Sequence, residues 1–121
     1  MKHNHFINLA KKASEKSDHH KYKMGCVIAK GNKVLGIGFN TNKTHPRSPH
    51  TYKSIHAEFM AWMNAGYSDI AGATAYVFRQ QKDGTLAMAK PCECCWQFLV
   101  ESGVSEVVYS FEGTYKKESL E

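Results

Sequence analysis

The chain has 121 residues, 16 Lys+Arg against 11 Asp+Glu, a formal net charge of +5, four cysteines and 42% hydrophobic content. That length supports one hydrophobic core and is too short for two, so residues 1–121 are expected to form a single domain. The mean hydropathy is −0.48, and no apolar run approaches the roughly 18 residues that a bilayer span needs, which excludes a transmembrane helix.

The N-terminal stretch MKHNHFINLAKKA is interrupted by polar residues too often for a secretory h-region, so the cytoplasm is the expected compartment. Phe6, Leu9, Ala10 and Ala13 recur at helical spacing with Lys11, Lys12 and Lys16 on other faces, predicting an amphipathic helix over 4–16. Gly25 to Ala29 and Val34 to Phe39 are β-prone runs separated by Lys30-Gly31-Asn32-Lys33, whose Gly and Asn suit a hairpin turn. Cys26, alone inside the first run, reads as a small core residue. From Thr41 to Ser54 the pattern is lost, and a loop of about fourteen residues in a compact domain is usually functional or disordered. Residues 55–66 predict a helix with Phe59, Met60 and Met63 as apolar contacts, stopped by Gly66. Ala73 to Phe78 is a strand, Asp83-Gly84 a turn, and Thr85 to Met88 a return beside it. Cys92 to Glu101 is a third helix ended by Ser102-Gly103. Val104 to Phe111 and Thr114 to Leu120 are strands around the turn Glu112-Gly113. Helices interleaved with strands favour an α/β fold with a mixed sheet of about five strands covered on both faces.

Charge and chemistry divide along the chain. Residues 1–57 hold eleven Lys/Arg against Glu15 and Asp18, and 58–121 hold five against nine acids. Three cysteines crowd into Pro91-Cys92-Glu93-Cys94-Cys95, too close together to bridge one another well, which points to metal or redox chemistry instead. Cys92 and Cys95 at i, i+3 present two sulfurs on one face of a helical turn. Pro91 suits the helix entry, and the helix N-terminus helps keep both thiols deprotonated. His56-Ala57-Glu58 opens the preceding helix. If the two helix starts lie side by side, His56, Cys92 and Cys95 converge on one zinc ion. Three protein ligands leave a position for water, whose pKa zinc lowers from 15.7 toward about 7. Glu58 stands outside the ligand set, either as the group that shuttles the proton or as a solvated acid stabilising a helix start.

His-x-Glu lying 36 residues upstream of Pro-Cys-x-x-Cys resembles the signature of the zinc-dependent cytidine and deoxycytidylate deaminase superfamily. The similarity runs from the first hairpin to the last strand. It implies a three-layer α/β/α sandwich with a five-stranded mixed sheet, and hydrolytic deamination of cytosine to uracil with one Zn2+ per chain. It further implies that Asn40, ending the second strand, contacts the sugar, although Asn40 also suits a strand-ending residue that satisfies local backbone. Backbone groups of Ala57 and Pro91 fall where family members read the base edge. Phe39, Tyr52 and Trp96 could stack on a base, although such residues are more often part of the core.

The loop 41–55 carries Lys43, His45, Arg47, His50 and Lys53 without an acid, so Lys43 and Arg47 are candidates for a substrate phosphate; a solvated face is the alternative. The tight turn at Glu112-Gly113 makes the last two strands antiparallel, as in free-nucleoside deaminases that this chain resembles. A free cytosine nucleoside or monophosphate (cytidine, deoxycytidine or dCMP) is therefore the expected substrate. Single-stranded DNA or RNA is the alternative, resting on the basic first half. A third reading is a zinc-stabilised binding domain without turnover, with His50 or Cys94 as fourth ligand. The resemblance also implies a homo-oligomer, a dimer or tetramer.

Overall fold

The computed structural model describes residues 2–17, 23–40, 57–66, 70–80, 86–87, 89, 93–111 and 114–120. In chain order these form α1 (Lys2–Ser14), β1 (Lys23–Lys30), β2 (Lys33–Phe39), α2 (Ala57–Asn64), β3 (Thr74–Gln80), β4 (Leu86–Ala87), α3 (Glu93–Glu101), β5 (Glu106–Phe111) and β6 (Thr114–Ser119). The sheet runs β2-β1-β3-β5-β6, with the two-residue β4 paired to the end of β3. β1 is antiparallel to both β2 and β3, β3 is parallel to β5, and β5 is antiparallel to β6. The expected mixed five-stranded sheet with an antiparallel last pair is thus present.

Side chains alternate across a strand, and here the alternation separates two cores. Val27 and Ala29 of β1, Tyr76 and Phe78 of β3 and Val108 of β5 pack with Phe6, Ile7 and Ala10 of α1. Cys26, Ile28, Ala75, Val77, Val107 and Tyr109 turn to the opposite face, where Ala57, Ala61, Ala65 and Leu99 meet them. One helix covers one face and two cover the other, which makes the three-layer α/β/α sandwich. Cys26 is fully buried in this core, as its apolar surroundings in sequence suggested.

The first hairpin contains a shift that decides what α2 can rest on. Its two-residue turn places Gly31 at φ +64°, a conformation open to glycine without strain. Lys30 pairs with Lys33 and Ala29 with Val34, but Ile28 pairs with Gly36, so Leu35 is an extra residue. A one-residue slip exchanges the two faces of a strand. Without the bulge Leu35 and Ile37 would lie opposite Ile28 and Cys26; with it, Gly36 and Gly38 do.

Helix α2 lies directly on those glycines. A Cβ at Gly36 would sit 2.1 Å from the Ala61 carbonyl oxygen, and one at Gly38 would sit 2.3 Å from the Ala61 nitrogen and 2.5 Å from the Ala57 oxygen. The helix face turned to the sheet is accordingly Ala57, Ala61 and the following Ala65; of the expected apolar contacts, Phe59 is buried as well. Side chains no larger than alanine let the backbones approach this closely; Met60 and Met63 are half-buried at the side. The same helix seals the outer edge of β2, with Phe39 N–H donating to Met60 Sδ at 3.3 Å and Asn64 Nδ2 donating to the Ile37 carbonyl at 2.6 Å. Gly66 ends the helix in the left-handed region as predicted, at φ +68°.

Two stability predictions arise from this packing. Gly38→Ala drives a Cβ into helix backbone that cannot yield locally, so its urea midpoint should drop by the equivalent of about 3 kcal/mol, the upper end for overpacking. Gly31→Ala meets nothing within 4 Å and should cost only the backbone strain of about 1 kcal/mol. The reverse ranking would show that α2 does not depend on the glycine bed. At the far edge, the Tyr109 hydroxyl donates to the Glu118 carboxylate. That hydrogen bond, then burial, then the Glu118 charge push Tyr109 up to about 12. Its contribution is fully present below the ordinary tyrosine value near 10 and is lost as pH rises through about 12. Tyr109→Phe should therefore be less stable than the unchanged chain at pH 7, with the gap closing above about pH 10 in denaturation curves. A gap that stays constant to alkaline pH would contradict it.

Candidate active site and metal centre

The topology brings the two chemistry-bearing helix starts to one end of the sheet. Gly36 lies under Ala61 and the following Ala65, and Gly38 under Ala57 and Ala61. Helix α2 therefore runs antiparallel to β2, and its first residue stands at the C-terminal end of β2. β1 is antiparallel to β2 and β3 to β1, and β5 is parallel to β3. The C-terminal ends of β2, β3 and β5 thus share one edge, and α3 is entered from that edge after β4. The two helices are clamped to each other by an aromatic cluster. Phe59 and Trp62 of α2 lie 5.5 Å apart, and Phe98 of α3 lies 5.8 Å from Phe59 and 5.4 Å edge-on to Trp62.

At that edge Glu58 is 2% exposed on the first turn of α2, and Cys95 is fully buried near the start of α3. Burial pushes the Glu58 carboxyl up from the usual carboxylate range, opposed by hydrogen bonds from its own backbone N–H and with the Cys95 side chain. Beneath them, Cys26 of β1 is raised well above an ordinary thiol, by burial first and then by the Glu58 charge. A carboxyl this deep in the core is not the solvated helix-start acid that was the alternative. Glu58 and Cys95, expected from the sequence to act as proton shuttle and ligand, are hydrogen-bonded to each other.

Among the described residues no group of three or more His, Cys, Asp or Glu that could hold a metal comes together, and Cys95 is the one expected ligand that is described. Two groups that ionise by losing a proton share a buried position, and no cationic side chain among the described residues acts on Glu58. A thiolate is among the donors that zinc prefers. His56 directly precedes α2 and Cys92 directly precedes α3, and both lie outside the described residues, as do Pro91, Lys43, Arg47, His50 and Tyr52. Ala57 is fully buried; as the first helical residue its N–H has no intrahelical acceptor. Trp96 and Phe39 are half-buried, and Trp96 packs against the α2 and α3 core.

Asn40 follows β2 at the same edge and is 8% exposed. Its backbone N–H donates to the Met24 carbonyl at 3.2 Å, and its side-chain oxygen accepts from Met24 N–H at 2.9 Å and from the Ser17 hydroxyl at 2.6 Å. The oxygen thus does the local backbone work that was one reading of this residue.

The family described as cytidine and deoxycytidylate deaminase zinc-binding region matches residues 1–111. The chain belongs to this family. It is 30% identical over 129 residues to a deoxycytidylate deaminase of Mycobacterium phage D29, covering 89% of this chain and 93% of that protein. It is also 30% identical over 132 residues to the deoxycytidylate deaminase of Saccharomyces cerevisiae, covering 96% of this chain but only 39% of the yeast protein. Among solved structures, cytidine deaminase from Burkholderia pseudomallei superposes with a TM-score of 0.71 at 25% identity, covering 99% of this chain and 94% of that one. The dCMP deaminase from cyanophage S-TIM5 in apo form shares the fold, with a TM-score of 0.68 at 23% identity over 89% and 81% of the two chains.

Family membership makes the chain a hydrolytic deaminase of nucleoside or nucleotide cytosine, and the matched region is the zinc-binding one, in keeping with one Zn2+ per chain. No helix among the described residues is long and apolar enough to cross a membrane. Sequence reasoning did not single out Ser17, whose contact with Asn40 spans 23 positions, nor the proximity of Cys26 to Glu58. A lone serine past a helix carries no local signal. Cys26 could have been placed beside Glu58 only from the bulged register.

Proposed function

We propose that this deaminase acts on the cytosine of a free nucleoside or nucleoside monophosphate, with dCMP as the foremost substrate, and works in the cytoplasm. The observation that carries the chemistry is the buried Glu58 carboxyl hydrogen-bonded with Cys95 where α2 and α3 begin. The substrate rests on relatives named deoxycytidylate deaminase and on the basic loop 41–55, whose Lys43 and Arg47 suit a monophosphate.

His56, Cys92 and Cys95 are the residues that would hold zinc, and the bound ion would supply the Lewis acidity that makes water a nucleophile near neutral pH. Glu58 takes the proton released as water adds to C4 of the ring and delivers protons to the ring nitrogen and the departing amine, so cytosine plus water yields uracil plus ammonia. A carboxyl whose burial raises its proton affinity is suited to both halves of that transfer. The N–H of Ala57 and the backbone at Pro91 are the groups for the base edge, and Asn40 is the group for the sugar. A homo-oligomer, a dimer or tetramer, belongs to this reading on family resemblance alone.

The test is incubation of the purified chain with cytosine, cytidine, deoxycytidine, CMP, dCMP and cytosine-containing oligonucleotides, scoring the one-mass-unit gain of deamination by mass spectrometry. Turnover on dCMP is expected, and activity confined to oligonucleotides would overturn the substrate assignment. Glu58→Gln should keep its zinc and lose on the order of 10²-fold or more in kcat. Cys95→Ala should fail to retain one zinc per chain through desalting, read by elemental analysis. Full activity in the first variant or full zinc in the second would refute the roles given to these residues.

A further inference from the structure

We propose that Met60 and Asn64 are positioning residues: together they grip the outer edge of β2 as one residue of a parallel strand would, and so fix where along the sheet Glu58 stands. The inference rests on the proton-transfer role given to Glu58 above and adds to it the contacts that hold α2 in place along its axis.

The close approach of α2 to the sheet settles a distance and leaves a direction open. A Cβ at Gly38 would lie 2.9 Å from the Met60 backbone carbon, besides its contacts with Ala57 and Ala61, so backbone contact sets the height of the helix over β2. In most packed layers, interlocking side chains also stop one element from sliding past the other. Glycine beneath alanine has no such ridge to catch. The aromatic cluster of Phe59, Trp62 and Phe98 joins α2 to α3, a neighbour in the same layer, and ties neither helix to a strand.

What resists sliding lies at the edge of the sheet. β2 is an edge strand, and Asn40 N–H points inward to the Met24 carbonyl. Backbone groups alternate along a strand, so those of Gly38 also face β1 and those of Ile37 and Phe39 face outward. There Phe39 N–H donates to Met60 Sδ at 3.3 Å, and Asn64 Nδ2 donates to the Ile37 carbonyl at 2.6 Å. In a parallel ladder, one residue of the neighbouring strand donates to the carbonyl before a given residue and accepts from the N–H after it. Here that residue is Gly38, with Asn64 as the donor and Met60 as the acceptor. The two side chains stand one helical turn apart on one face, so they hold β2 at two points and oppose sliding in either direction. Met60 is two residues past Glu58 in the same helix, whose backbone transmits the constraint. A misplacement of about 1 Å at a reacting group costs up to about 10²-fold in rate.

Steady-state kinetics and amide hydrogen exchange on the full chain test this together. Met60→Leu keeps the volume and removes the acceptor. Its kcat on dCMP should fall roughly tenfold with KM within about threefold, and its Phe39 amide should exchange at least about tenfold faster. Met60→Gln supplies an amide oxygen and should restore both readings. Asn64 is exposed, so Asn64→Asp should fold; its carboxylate cannot donate at neutral pH, and kcat should fall in the same way. Met63→Leu, on the same helix and also half-buried, should change neither reading. An unchanged kcat in Met60→Leu whose Phe39 amide has lost protection would overturn the proposal. So would undiminished protection in Met60→Leu, a kcat loss that Met60→Gln leaves in place, or an equal loss in Met63→Leu, which would make the effect one of helix packing. These outcomes leave the substrate reading standing, whereas no turnover by the unchanged chain on any cytosine nucleoside or nucleotide overturns both.

Discussion

The distance between α2 and the strand pair beneath it governs everything at the functional edge. Two glycines on β2 and three alanines at i, i+4, i+8 along α2 and its exit turn allow backbone to meet backbone. In ordinary packing the side chains between two layers keep their backbones apart. Here side chains are nearly absent from the contact, and Glu58, one residue into the helix, is carried down into the core over Cys26. The bulge at Leu35 is what turns the glycines to this face. A regular hairpin would present Leu35 and Ile37 instead, and α2 would be lifted away with Glu58. The position of the carboxyl thus traces back to one unpaired residue in an edge strand.

The carboxyl so placed is subject to opposing forces, and their sizes decide its state. A helix N-terminus stabilises a negative charge by roughly 0.3–1 kcal/mol, up to about 2 where partly buried. Hydrogen bonds from its own N–H and with Cys95 add to that. Desolvating an ion costs several kcal/mol even after relaxation. The larger effect wins, and Glu58 is pushed toward holding its proton. Cys26 faces the same balance with less to oppose it: burial and the nearby carboxyl charge act in one direction, so its thiol remains neutral and inert. Two cysteines buried in one core therefore have different fates. Cys95 lies at a helix start against a carboxyl, whereas Cys26 lies mid-strand and serves as floor.

Most of the architecture was legible in the sequence because it rested on periodicity and punctuation. The amphipathic spacing of Phe6, Leu9, Ala10 and Ala13 marks α1, Gly31-Asn32 marks the hairpin, and Gly66 and Gly103 mark the helix stops. The family was legible because the spacing of His56, Glu58, Cys92 and Cys95 has few meanings outside metal-assisted deamination. The sheet-facing side of α2 was not. Size alone favours Met60 and Met63 as the buried contacts, and only the register shift shows that small residues are needed there. The Ser17 contact was likewise invisible, since it joins the end of one helix to the end of a non-adjacent strand and depends on the path of β1 between them.

The structure also narrows what the basic first half can mean. Lys30 and Lys33 flank the hairpin turn and Lys23 begins β1, so these cations sit at opposite ends of a strand eight residues long. At about 3.3 Å per residue that is on the order of 25 Å, roughly three times the screening length of about 8 Å at physiological salt. Lys11, Lys12 and Lys16 belong to α1 and the turn after it, on the face opposite α2. Among the described residues, charges so dispersed act independently and do not form the continuous groove that tracks a nucleic-acid backbone. These described cations are therefore poor support for a polymer substrate. The phosphate contact proposed above for Lys43 and Arg47 rests on their place in the sequence between Asn40 and His56, outside the described residues.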